Sequence, residues 1–523
     1  MNLGTALRWT AERHPHRRAV GGLAPLTYAE WDDRTERQAH ALHDLGAHEG
    51  SRAVFLTTGG EPLATLHLAA QKAGVTSIPL STRLGADELA YCIADCAPAV
   101  VAVDELTHDV VVEALADYET RPALVWAGRP EDAPASVPAV GRVADGAPGS
   151  RVPVSPRAGD PSVMLYTSGT TGRPKGVPRT HGAEQQAALA HLVQTGHLPG
   201  GATLGVMPLF HTMGLRTLLA SVMSAGTWVP QARFDADEAI ELIRDEHVEM
   251  LYLVPTIYWA LLETGRLSDV GPVRSVAYAG AAMTPTLARR LVDAVAPERF
   301  VNHYGSTEIY TFTIGPDNVG KPGCAGRAGL FSRIRLVDPD PAATPDQVVA
   351  PGERGQVIAS MDSPEAFAGY WRRPDADARA IRDGWYYTND LAVADEDGDL
   401  WVSGRVDDMI NSGGENLYPE EIEHALAACP DLSEVVVAGS PHERWGQAVT
   451  AYVVGRPGDS PRETLDRVRR FAREGAGLPS LKRPKRYVVV ESIPKSAVGK
   501  ILRRRLTEHE LTVLSDSEAG EQS

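Results

Sequence analysis

A run of hydroxyls, glycines and one lysine, Thr167-Ser168-Gly169-Thr170-Thr171-Gly172-Arg173-Pro174-Lys175-Gly176, is the part of this 523-residue chain best suited to chemistry. Glycines admit backbone N–H groups close to an anion, hydroxyls add donors, and Lys175 adds a charge that can follow phosphate oxygens as they depart. Triphosphate binding is the use these residue types share. The spacing differs from the GxxxxGK[ST] of P-loop proteins: Arg173-Pro174 separate Gly172 from Lys175, and no Ser or Thr follows the lysine. On composition alone, a flexible Gly/Thr surface loop is an equal reading.

Four further segments follow in order: Tyr304-Gly305-Ser306-Thr307-Glu308, Trp385-Tyr386-Tyr387-Thr388-Asn389-Asp390, Gly404-Arg405-Val406-Asp407-Asp408-Met409-Ile410, and Pro494-Lys495-Ser496-Ala497-Val498-Gly499-Lys500. Together with the loop they resemble the motif set of the adenylate-forming enzymes, which include acyl- and aryl-CoA ligases, firefly-type luciferases and the adenylation domains of peptide synthetases. From Gly404 to Glu423, and again at Arg444 to Gln447 and Lys482 to Tyr487, the chain is most similar to 4-chlorobenzoate- and benzoate-type CoA ligases.

The resemblance implies an ATP- and magnesium-dependent ligase that activates a carboxylic acid as its adenylate and transfers the acyl group to CoA. It implies the loop (Thr167, Ser168, Gly169, Thr170, Thr171, Gly172, Lys175) on the β- and γ-phosphates, Thr167 and Glu308 at Mg²⁺, and Lys500 across the α-phosphate and the attacking carboxylate. Gly280, Ala281, Asn302, Tyr304, Gly305, Ser306 and Thr307 belong to the nucleotide site. Asp390 would hold the ribose with Arg405 nearby. Asp407 would be the hinge about which a small C-terminal domain turns between half-reactions. Trp445, Arg483 and Arg83 would meet CoA. Asn389 departs from the pattern, standing where relatives commonly have Gly or Ser. As isolated residues most of these would be structural, an Asp a turn or cap and a Tyr core packing.

The implied acyl pocket draws on His211, Thr212, Met213, Tyr252, Ala279, Gly280, His303, Ile309 and Tyr310. Met213, Tyr252, Ile309 and Tyr310 are expected to form an apolar wall, and the small residues around Gly280 and Gly305 a flat slot suited to a planar ring. His211 is a mobile gate or ring contact in relatives and is counted with Lys500, Glu308 and Lys175 among the catalytic set. It also occupies the place where amino-acid-activating relatives carry an Asp. The expected substrate is an aromatic acid, benzoate-like or fused-ring. A medium-chain or alicyclic acid, or a carrier protein in place of CoA, is the alternative. The expected macromolecular partners are a downstream acyltransferase or that carrier protein.

These residues need a scaffold. With 43% hydrophobic residues the chain is too long for one core. Short apolar segments such as Ala99 to Val103, Val163 to Tyr166, Leu251 to Val254 and Val273 to Tyr278 alternate with helical patterns, which predicts an α/β fold. The expected architecture is a large N-terminal domain of layered α/β subdomains over 1–404, a small mobile α+β domain over 405–510, and a disordered tail over 511–523. Arg121 to Pro161, rich in Pro, Ala, Gly and Asp, reads as a long surface excursion. Leu89, Cys92, Ile93 and Cys96 fall on one helix face, so the cysteines read as core rather than zinc or redox ligands. A net charge of -17 disfavours nucleic acid or an anionic membrane as partner. No apolar run is long enough to span a bilayer, and the N-terminus is too polar for a signal peptide, so a cytoplasmic location is expected.

Overall fold

The computed structural model describes residues 2–118, 121–167, 173–315, 319–412, 415–430, 432–495, 501–507 and 511–518. The chain divides into two compact units, Met1–Ile334 with Ala359–Tyr387, and Arg335–Ile358 with Thr388–Ser523.

Two sheets of the first unit carry most of its described strands. In one, strands Ala123–Trp126, Val100–Val103, Arg52–Leu56, Thr76–Pro79, Pro161–Thr167 and Lys175–Thr180 lie side by side in that order. The other has nine described strands, in which Ser275–Tyr278 lies between the central Val248–Leu253 and Arg299–Tyr304, all three parallel. Parallel neighbours require crossover helices, and these supply the layers that cover the sheets. A core containing Phe55, Val163, Leu215, Leu218 and Trp228 joins residues of both sheets with helix Thr212–Met223.

Local sequence signals mark the helix ends. Thr27 and Glu30 form a reciprocal capping box at the start of Tyr28–Asp44, and Gly74 and Gly196 close their helices in the left-handed conformation. Helix Ala86–Cys96 buries Leu89, Cys92, Ile93 and Cys96, the face that the spacing predicts. All four cysteines are buried. Burial pushes the thiols of Cys92 and Cys96 up to about 12.

Residues 121–161 are not a surface excursion. Ala123–Trp126 is the edge strand of the six-stranded sheet, Val140–Gly146 is a helix, and Val125, Trp126, Val140 and Val152 are buried. Proline breaks this stretch into elements too short to show a period.

In the second unit strand Leu400–Arg405 pairs with residues 390–394, as the turn at Asp395–Asp399 suggests. Pro419 opens helix Pro419–Leu426 with Glu420 and Glu421 in its first turn. Strands Leu432–His442, Gly446–Gly455 and Arg486–Val490 form the expected small sheet. Within the expected tail, Val513–Glu518 is a strand antiparallel to Arg486–Val490 and tied to it by an ion pair between Arg486 and Asp516, while 519–523 lie outside the described residues. No helix among the described residues is long and apolar enough to cross a membrane.

Candidate active site

Strand Pro161–Thr167 turns back as Lys175–Thr180, and Thr167 stands opposite Lys175 in the antiparallel register. The two ends of the glycine-rich loop are thereby fixed side by side. Ser168, Gly169, Thr170, Thr171 and Gly172 lie outside the described residues, as does Lys500. Gly176 is a glycine for want of room: a Cβ there would stand 2.9 Å from Met164 Sδ and 3.2 Å from Trp371 Cβ. The Trp371 amide donates to Gly176 O at 2.9 Å, which brings the Tyr370-Trp371 segment against the loop's return strand.

That segment supplies a residue that motif reading missed. Lys175 Nζ lies 4.2 Å from the centre of the Tyr370 ring, and the Tyr370 hydroxyl donates to Glu308 Oε1 at 2.7 Å. Burial and the neighbouring carboxylate hold the phenol far above its ordinary range, so it stays a donor. Lys175, Tyr370 and Glu308 thus form a continuous series of cation, ring and carboxylate. Glu308 is buried, and the Phe367 amide donates to its carbonyl at 2.8 Å. Arg179, fully buried and paired with Glu184, donates to the carbonyls of Thr307 and Glu308, both at 3.2 Å. It fixes the backbone that presents the glutamate. A carboxylate oxygen and the Thr167 hydroxyl are hard oxygen donors, the kind magnesium takes with its waters, and the donor chemistry fits that ion.

The segment 304–312 is a tight loop closed by Ser306 N to Ile309 O at 3.0 Å and Phe312 N to Tyr304 O at 2.8 Å. Ser306 Oγ also accepts from the Glu308 amide at 3.2 Å. Gly305 admits no side chain, because a Cβ would lie 2.0 Å from Tyr310 O. Asn302 donates to Cys324 O at 2.8 Å, so its amide nitrogen secures a neighbouring loop. Gly280, at φ +84°, turns the chain sharply after strand Ser275–Tyr278, leaving Gly280 and Ala281 exposed.

In the second unit Asp390 and Arg405 are paired across adjacent strands, with Arg405 Nε 3.5 Å from Asp390 Oδ1. Asn389 sits at φ +64°, the left-handed region that Gly occupies readily and Asn tolerates best among the others. Its departure from the pattern therefore preserves the turn. Its side-chain amide also donates to Asp407 Oδ2 at 2.7 Å, tying the residue before Asp390 to the expected hinge.

The pocket residues are not all brought together. Met213 and Tyr252 belong to one buried cluster, Ile309 to another with Val177 and Phe312, and Tyr310 to a third. His211 caps helix Thr212–Met223, its Nδ1 accepting from the Met213 amide at 3.3 Å. Beside Tyr252 and His303 the surroundings are polar. Arg216, from the same helix, places NH1 2.7 Å from His303 Nε2, and Tyr310 lies between two guanidinium groups, 3.6 Å from Arg179 and 5.1 Å from Arg216. His191 stacks near Tyr252 and parallel to His303, with ring centres 4.8 and 6.2 Å away. Burial, and next Arg216, keep both imidazoles well below their ordinary range and neutral at physiological pH. Sequence pattern hid Arg216, since an arginine five residues into a helix reads as a surface residue.

Trp445 stacks on His442 at 4.2 Å between ring centres, and Lys485 approaches its ring at 5.7 Å. Arg483 spends its Nε on Leu478 O at 2.8 Å, and Lys482 is paired with Glu421 at 2.5 Å. Arg83, in the first unit, is exposed.

Two family models match the chain: "AMP-binding enzyme" over residues 7–371 and "AMP-binding enzyme C-terminal domain" over 421–500. A feruloyl-CoA synthase of an Amycolatopsis species is 34% identical over 94% of this chain and 96% of its own length. A 4-chlorobenzoate–CoA ligase of an Arthrobacter species is 32% identical, covering 96% of this chain and 94% of that protein. Among solved structures, ATP-bound MatB from Rhodopseudomonas palustris superposes with a TM-score of 0.85 at 28% identity, over 97% of this chain and 99% of that one.

Proposed function

Because the chain belongs to the AMP-binding enzyme family and is an AMP-forming acid–thiol ligase that uses ATP, magnesium and CoA, we propose that its acid is aromatic, a benzoate-like or fused-ring carboxylate. The observation that carries the catalytic part is the series Lys175, Tyr370 and Glu308 at the base of the glycine-rich loop. The aromatic part rests on the planar rings of Tyr252, His191 and His303 gathered at one place, and on relatives named for aromatic acids.

In the first half-reaction a carboxylate oxygen of the acid bonds to the α-phosphorus of ATP and the bond to pyrophosphate breaks. Two anions must approach, so the site's task is to neutralise charge and hold alignment. Lys175, opposite Thr167 where the loop closes, supplies charge toward the departing pyrophosphate. Glu308, oriented by Tyr370 and by the Arg179-held backbone, and Thr167 would hold magnesium, which supplies charge neutralisation to the phosphates. Asp390 accepts the ribose hydroxyls, and Arg405 beside it keeps that carboxylate in place. Lys500 bridges the α-phosphate and the attacking carboxylate. In the second half-reaction the CoA sulfur attacks the acyl carbon and AMP leaves. Trp445 and Arg483 serve that step after rotation about Asp407.

The test is pyrophosphate release from the full chain over benzoates, naphthoates, cyclohexane carboxylates and fatty acids, with thioester formation followed by mass and a phosphopantetheinylated carrier protein offered beside CoA. Benzoates or naphthoates are expected to give the highest kcat/KM, with CoA as acceptor. A profile led by fatty acids would overturn the aromatic reading.

A further inference from the structure

Arg216 is 2% exposed, with Tyr252 and His303 beside it as side-chain partners. A guanidinium carries five N–H donors and accepts none, so a buried one costs several kcal/mol unless it is satisfied. Nη1 lies 2.7 Å from Nε2 and 3.1 Å from Nδ1 of His303, whose neutral ring supplies one acceptor. The nearest carboxylate, Glu365, stands at 3.8 Å from NH2, outside hydrogen-bond distance. Nε has no acceptor among the described residues. Arg179 nearby has Glu184 in direct contact and two backbone carbonyls, and leaves Nη2 without a partner among the described residues.

The neighbours make the same point. Glu365 is fully buried and stands no closer than 3.8 Å to Arg216. His191 Nδ1 is buried without a partner. A cluster built only for stability would have drawn Arg216 and Glu365 from 3.8 Å into direct hydrogen-bond contact, because a buried ion pair stabilises only where its donors and acceptors are met. Its location also bears on function. Arg216 lies on the helix that His211 caps and touches His303, while Tyr252 stacks against that same imidazole ring. These residues come from the segments that surround the acid in the reading above.

We propose that Arg216 is a specificity-determining residue that receives an oxygen acceptor carried by the acid at the end remote from its reacting carboxylate. This rests on the placement of the acyl site argued under the proposed function. The recognised chemistry is an oxygen with lone pairs directed at the guanidinium: a phenol, a ketone or a second carboxylate. Arg216 rejects a methyl group of similar size because the guanidinium would then be buried with its donors unmet.

The experiment uses the full-length protein and matched pairs of acids. In the aryl series, hydroxy and carboxy derivatives are compared with methyl derivatives at the same meta or para position. In the aliphatic series, keto or terminal carboxy acids are compared with their hydrocarbon counterparts. Pyrophosphate release gives kcat/KM for each. The wild-type protein is expected to favour the oxygen-bearing member at least tenfold. Carboxy against hydroxy then distinguishes an anionic from a neutral acceptor. Arg216→Met is expected to bring the ratio near one, and Arg216→Lys to keep part of it.

A wild-type ratio at or below one overturns the proposal, whether or not the Met variant folds. If only the aliphatic series is turned over, the aromatic reading fails while the ratio within that series still decides the role of Arg216. If neither series is adenylated, both readings fall.

Discussion

Gly305 offers a sharp test, because the reason for its lack of a side chain can be measured. Its φ does not lie in the left-handed region, unlike that of Gly280, so space rather than backbone conformation excludes other residues. A Cβ would stand 2.0 Å from Tyr310 O and 2.6 Å from Tyr310 C, whereas ordinary contact begins at 3.4 Å. In Gly305→Ala the two strands of the loop must therefore separate by about 1.4 Å, the difference between those distances. The bonds Ser306 N to Ile309 O and Phe312 N to Tyr304 O lie across that gap and would lengthen with it. Overpacking of this kind costs about 1–3 kcal/mol of stability. The greater effect falls on Glu308, three residues on: a displacement of about 1 Å in a catalytic group lowers the rate on the order of 100-fold. The assays are thermal unfolding, for the stability loss, and pyrophosphate release, for kcat/KM of adenylation. An alanine variant with wild-type melting temperature and wild-type kcat/KM would refute the reasoning from this loop to the glutamate.

Tyr370→Phe keeps the ring beneath Lys175 but removes the donor to Glu308; a hydrogen bond to a charged group is worth about 1.5–3 kcal/mol, so adenylation should fall roughly ten- to a hundredfold, with thioester formation from preformed acyl-adenylate unchanged. Asn389→Gly should be close to wild type, because glycine accepts φ +64°, whereas Asn389→Asp sets a carboxylate against Asp407 and should slow the complete reaction several-fold; equal rates for the two variants would count against the bond to Asp407 having a role. Lys500→Ala should abolish adenylation and spare the thiol step, and equal loss of both would contradict its assignment. Stability should fall as pH drops below about 6.5. Burial holds His67 at about 3 and His181 and His197 at about 4. The unfolded chain takes up protons there that the folded chain refuses, so each such histidine removes about 1.4 kcal/mol per pH unit down to its folded value. Melting temperatures that stay level from pH 7 to pH 5 would show that these histidines are not buried as neutral groups.

The strand that leads into the glycine-rich loop and the helix face of Leu89, Cys92, Ile93 and Cys96 were legible because each depends on local residue types at fixed spacing. Tyr370 was not. A tyrosine between Gly369 and Trp371 has no local signature of a bond to a residue 62 positions away. Arg179 and Arg216 were hidden for a related reason: burial of an arginine is decided by what packs around it, and neither the alternation of a strand nor the period of a helix records that. The same limit explains the expected apolar wall. Met213, Tyr252, Ile309 and Tyr310 are all apolar or aromatic and all buried, but the fold distributes them among separate clusters and sets Tyr310 between guanidinium groups. The strand at Val513–Glu518 was missed because its polar, acidic composition resembles a solvated tail, and only pairing with Arg486–Val490 gives it order.

The burial of the cysteines has a meaning for an enzyme that makes acyl phosphates. An acyl-adenylate acylates any accessible thiolate, and a chain with surface thiols would compete with its own thiol substrate. Here all four thiols lie inside, and those of Cys92 and Cys96 stay protonated up to about pH 12. None of this chain's own cysteine sulfurs is exposed to such an attack, and the thiol that meets the activated acyl group comes from outside.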